Sequence, residues 1–131
     1  MERCKWARAA ATFVLVGLSL FGMTTSALAA GDATKGGDVA KRCMICHTFD
    51  NGGANKVGPN LFGVVGRTAG SVSGYNYSTA MKGAGFKWTE ENLSAYLADP
   101  KVKVPGNKMA FAGLSKPDQI ADLIAYLGTL K

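Results

Sequence analysis

The run Cys43-Met44-Ile45-Cys46-His47 has the form C-x-x-C-H, the pattern by which a c-type haem is attached covalently. Two thiols three residues apart on a helical turn project along one side, matching the separation of two vinyl groups on a porphyrin edge. His47 follows at once and lies beneath the ring, where its imidazole can bind the iron axially. Three other chemistries use such cysteines. A thioredoxin-like redox pair needs a βαβ setting, which this chain lacks. A zinc site needs about four ligands, and His47 is the only histidine of the chain. A structural disulfide between Cys43 and Cys46 would suit an exported protein.

With His47 on one side of the iron, the sixth position falls to another residue type. The candidates are Met44, Met81, Met109, a lysine or water. Met44 lies inside the attachment motif, on the wrong side of the covalent anchor. Met109 sits in Lys108-Met109-Ala110-Phe111-Ala112-Gly113, after Val104-Pro105-Gly106-Asn107, a loop where a thioether can swing toward the metal. Met109 is the expected ligand, and Met81 is expected to fill core. Sulfur paired with imidazole raises the iron potential and occupies the position where oxygen or peroxide would react. Such iron is suited to one-electron transfer.

Working outward, the N-terminus reads as a leader. Arg3, Lys5 and Arg8 precede an apolar stretch from Ala9 to Met23, and Ala27-Leu28-Ala29 supplies the small-x-small pattern of signal peptidase cleavage. Residues 1–29 are therefore expected to be a secretory signal, too short in its apolar run to anchor the chain, with periplasmic export the consequence. Its removal leaves 12 of the 15 basic residues and 8 of the 9 acidic ones, a net charge of +4 in place of +6, and takes Cys4 with it. Residues 30–131 then form one small domain. The length of 131 residues excludes a multi-domain enzyme, and a single short apolar run excludes a polytopic membrane protein. The basic excess is too small, and too scattered, for nucleic acid.

The pattern of elements predicts an all-α chain of short helices and long loops. Thr34 to Cys46 carries a weakly amphipathic helical pattern. Thr48 to Tyr75 is studded with glycines and holds no long regular element. Thr89 is a plausible N-cap for a helix with Glu90 and Glu91 in its first turn, Leu93, Tyr96 and Leu97 on one face, and Asp99-Pro100 at its end. Ser115 and Asp118 resemble a capping box, Pro117 fits the first turn, and Ile120, Leu123, Ile124 and Leu127 follow the i, i+3, i+4, i+7 spacing. Loops this long suit a compact domain only where they wrap around something. A large ligand at the core fits that need.

These residues together resemble the class I cytochromes c, the branch of mitochondrial cytochrome c and its periplasmic bacterial relatives. The resemblance spans nearly all of residues 30–131 and includes Gly58-Pro59-Asn60-Leu61, Gly66-Arg67-Thr68, Tyr75-Asn76-Tyr77-Ser78, Trp88-Thr89, Tyr96-Leu97, Asn107-Lys108-Met109 and Asp122 to Leu127. It implies a small cytochrome c fold around one covalent haem c, with terminal helices crossing near Gly36, Ala40, Leu123 and Tyr126. It further implies that Pro59 offers its carbonyl to the His47 ring, that Arg67, Tyr77 and Trp88 hold a haem propionate, and that Tyr96 hydrogen-bonds the Met109 sulfur. Ala40 departs from the bulky aromatic of many relatives, so the helix crossing is expected to be looser or filled by Tyr126. Asn107 stands in place of a threonine, and Met81 in place of a frequent asparagine.

By the same resemblance, Arg42, Lys56, Lys101, Lys103, Lys108 and Lys116 ring an exposed haem edge and dock acidic faces of membrane electron-transfer complexes. The implied function is a monomeric, soluble monohaem electron carrier without stable membrane insertion, shuttling electrons from a cytochrome bc complex or a dehydrogenase to an oxidase or reaction centre. A small haem enzyme or ligand sensor with an open iron position is the contrasting reading. A non-haem binding module is the third.

Overall fold

The computed structural model describes residues 30–131, so the expected leader at residues 1–29 lies outside the described residues. Five helices occur in this span: α1 (Ala33–Ala40), α2 (Thr79–Lys82), α3 (Glu90–Ala98), α4 (Pro100–Lys103) and α5 (Pro117–Gly128). Among the described residues there is no β-strand beyond an isolated antiparallel bridge between Thr68 and Lys87. Hydrogen bonds flank this bridge, from Trp88 N–H to the Arg67 carbonyl and from Gly66 N–H to the Trp88 carbonyl, both 2.8 Å. They fasten the glycine-rich loop to the segment that enters α3.

Each helix start has a local cause. Asp32 caps α1, its carboxylate accepting from the N–H groups of Thr34 and Lys35. The helix expected to reach Cys46 ends at Ala40, and hydrogen-bonded turns carry the chain on, with His47 N–H donating to the Cys43 carbonyl at 2.9 Å. Thr89 caps α3 as its position predicts, accepting from Asn92 N–H. Asp99 and Pro100 end α3 and also begin α4: the Asp99 carboxylate accepts from Lys101 and Val102 N–H, and Pro100 occupies the first turn. The short α2, capped by Ser78, follows the glycine-rich stretch. The expected Ser115 cap on α5 is not formed. The N-cap is Lys116, without a side-chain hydrogen bond, because Pro117 fixes the first turn one residue later than a Ser115 cap requires.

Helices α1 and α5 pack closely at one end of the molecule. A Cβ on Gly36 would stand 1.9 Å from the Asp122 carbonyl oxygen, so only glycine permits this approach. Ala40 is fully buried beside it, and the Tyr126 ring lies 3.6 Å from where a side chain on Gly37 would begin. The crossing is therefore tight rather than loose: small residues on α1 let the backbones meet while Tyr126 fills the flank. Asp122 ties the junction further by accepting from Asp32 N–H at 2.7 Å. The inner face of α5, with Ile120, Leu123, Ile124 and Leu127, joins Leu93, Tyr96 and Leu97 of α3 in one apolar cluster. This cluster borders a cavity.

Candidate functional site

That cavity encloses about 500 Å³, within the roughly 300–1,000 Å³ typical of ligand sites. Its walls are mostly apolar, drawn from Leu61 in the glycine-rich loop, Met81 of α2, Leu93, Tyr96 and Leu97 of α3, Leu127 of α5 and Phe111 in the loop before α5. Cys43, Cys46 and His47 border one part of it, and Asn107, Lys108 and Met109 another. Cys43 and Cys46 are half-buried and unpaired, so they do not form the disulfide that their spacing would allow.

The histidine is tightly specified. His47 Nδ1 lies 2.7 Å from the Pro59 carbonyl, which assigns the ring proton to that nitrogen and leaves Nε2 free. Gly58 allows this approach, since a Cβ there would meet the imidazole at 2.3 Å. Burial holds the His47 pKa below its ordinary value, against the pull of the Pro59 carbonyl and with added repulsion from Lys56 and Arg67. The neutral imidazole is the form that can bind a metal. Burial likewise pushes the Cys43 thiol up.

Pro59 is held in turn by its neighbours. Asn60 donates from Nδ2 to Thr48 Oγ1 at 2.7 Å and to the Asp50 carbonyl at 3.0 Å, while its Oδ1 accepts from Phe62 N–H. Arg67 donates to the carbonyls of Asn60 and Phe62, both at 2.9 Å. These contacts use two of the five guanidinium N–H groups, leaving three for an anion. Neither Arg67 nor Trp88 borders the cavity, whereas Tyr77 does. Tyr77 Oη accepts from Val72 N–H at 3.3 Å, and Trp88 packs edge-on against Phe86 and Tyr96.

The sulfur has a partner as well. Tyr96 Oη donates to Met109 Sδ at 3.9 Å. Burial raises the Tyr96 pKa to about 12, so the hydroxyl keeps its proton at physiological pH. Met81 is buried against the core cluster and borders the same cavity. Among the expected docking cations, Arg42 and Lys108 are exposed and border the cavity. Lys108 also reaches the Asn76 carbonyl and lies 5.1 Å from the Tyr75 ring centre. Lys56 donates to the Met44 carbonyl, and Lys103 donates to Asn92 Oδ1 while lying over the Phe86 ring. Lys101 and Lys116 are exposed on α4 and at the entry to α5. The exposed Val57 stands at the cavity edge and its carbonyl accepts from Tyr75 Oη, a contact no sequence signal marks.

The family model for Cytochrome c matches residues 33–131. The chain belongs to the cytochrome c family. It is 54% identical over 100 residues to a cytochrome c2 of Agrobacterium tumefaciens, covering 74% of this chain and 90% of that protein. A cytochrome c2 of Rhodospirillum rubrum is 53% identical over 117 residues, covering 81% of this chain and 86% of that one. Among solved structures, cytochrome cH from Methylobacterium extorquens superposes with a TM-score of 0.71 at 48% identity, covering 76% of this chain and 99% of that chain. The small all-α cytochrome c fold is thus established. Cytochromes c of this family bind one covalent haem c and are electron-transfer proteins rather than enzymes. The cavity fits that group: two unpaired thiols at the attachment spacing, an oriented neutral imidazole and a thioether all border one apolar enclosure.

Proposed function

We propose that this chain is a monohaem electron carrier, its porphyrin held by Cys43 and Cys46 and its iron by His47 and Met109. One observation carries the reading: these four side chains border a single apolar cavity. Haem supplies a metal that gains and loses one electron. The Pro59 carbonyl orients the His47 imidazole and raises its basicity as a ligand. The Met109 thioether favours the ferrous state, and Tyr96 steadies the sulfur. Met109 bound to the metal would keep oxygen and peroxide from reacting there, leaving one-electron transfer as the chemistry the group supplies. Tyr77 on the cavity wall, with Arg67 and Trp88 beyond it, is assigned to a haem propionate.

The proposal includes export to the periplasm through the leader at residues 1–29, and action as a monomer. Among the described residues no helix is long and apolar enough to cross a membrane. Arg42 and Lys108 border the cavity, and together with Lys56, Lys101, Lys103 and Lys116 they would steer the carrier onto acidic surfaces of membrane redox complexes. The test is the oxidation rate of the reduced protein by solubilised terminal oxidase, and its reduction by a cytochrome bc complex, across a range of ionic strength. Fast transfer that slows steeply with salt is expected with at least one complex. Absence of transfer to every complex, or rates indifferent to salt, would overturn the assignment of partners.

A further inference from the structure

The segment between α4 and α5 that carries Met109 contains no helix or strand, so its placement depends on individual hydrogen bonds. Asn107 takes part in four of them. Its Nδ2 donates to the Pro100 carbonyl at 2.7 Å and to the Val104 carbonyl at 2.9 Å, and its Oδ1 accepts from Met109 N–H at 3.0 Å. Its own N–H donates to the Val104 carbonyl at 3.1 Å. Pro100, one end of this arrangement, is among the most deeply buried side chains of the molecule. A single planar carboxamide therefore ties the start and end of α4 to the backbone of Met109. A hydroxyl at this position offers one O–H donor, whereas two carbonyls and an N–H are matched only by a group with two donors and an acceptor.

We infer that Asn107 is a positioning residue for the Met109 ligand: its carboxamide sets how firmly the sulfur is held at the metal and how readily a competing ligand displaces it. The inference rests on Met109 being the iron ligand. Asn107 itself does not touch the reacting atoms. It acts through the backbone of Met109, so its loss should weaken the hold on sulfur without removing the sulfur.

The experiment measures imidazole binding to the ferric holoprotein, its affinity and rate, together with the sulfur-to-iron charge-transfer band, in the parent, Asn107→Ala and Asn107→Ser. Asn107→Ser keeps one short hydroxyl and serves where Asn107→Ala fails to fold. Guanidinium unfolding of each variant runs alongside. Imidazole should bind about tenfold more tightly and faster to Asn107→Ala, with Asn107→Ser between it and the parent, and by more than the loss of global stability accounts for. Binding equal to the parent in both variants, or increases that merely track global stability, would overturn the inference. Met109→Ala separates the two levels: if it keeps the charge-transfer band, the ligand assignment fails, and if it loses the band while both Asn107 variants bind imidazole like the parent, only the positioning role fails.

Discussion

At the scale of single residues, His47 and Met109, the proposed haem ligands, each take part in a hydrogen bond, and the one at His47 fixes the position of its ring proton. His47 is oriented by Pro59, and the Met109 sulfur accepts from the Tyr96 hydroxyl. Met109→Ala should retain covalent haem and His47 ligation but open the sixth position, lowering the midpoint potential and allowing peroxidase-like turnover, and a spectrum unchanged from the parent would refute the assignment. Tyr96 makes a second prediction. Because burial raises its pKa to about 12 from an ordinary value near 10, its stabilising contribution is complete below pH 10 and is lost as pH rises toward 12. Unfolding measurements should show a loss of stability in that alkaline window, reduced in Tyr96→Phe; an identical alkaline profile in that variant would contradict the account. Much of this chemistry is legible in the sequence, since C-x-x-C-H names three of the four attachment groups directly. The role of Asn107 is not, because what it bonds depends on how α4 folds back against its own exit loop.

At the scale of elements, the α1 to α5 junction is the tightest feature of the fold. Gly36→Ala would drive a methyl group into the Asp122 backbone, and since no flexible side chain can yield there, a cost of about 3 kcal/mol or more is expected in chemical unfolding. A loss below about 0.5 kcal/mol would mean that the crossing relaxes freely. The long amphipathic α5 and the Thr89-capped α3 were readable from periodicity and capping residues. The short α2 and α4 were not, because four residues carry no periodic signal and form only through their Ser78 and Asp99 caps and tertiary packing. The small residues of α1 could be read as a weak crossing, yet they mark a close one, because backbone approach depends on what the partner helix presents.

At the scale of the whole molecule, the five helices and glycine-rich loops of the described residues build one apolar cluster that borders a cavity, an arrangement that suits a domain of about a hundred residues. Arg42 and Lys108 stand exposed at the cavity edge. Replacing Lys101 and Lys108 by Glu should slow association with an acidic redox partner about tenfold at low salt and flatten the dependence on ionic strength. Because Lys108 also reaches the Asn76 carbonyl, the absorption spectrum of the variant is the control that its haem environment is intact. Unaltered kinetics with an isolated partner would exclude this face from docking.

The most direct measurement is the absorption spectrum of the ferrous protein, matured in a host with haem-attachment machinery, before and after exposure to carbon monoxide. A low-spin haem spectrum with a Soret band, unchanged by the gas, is the predicted result. A colourless product, or rapid carbon monoxide binding by the untreated protein, would contradict a closed, sulfur-ligated electron carrier.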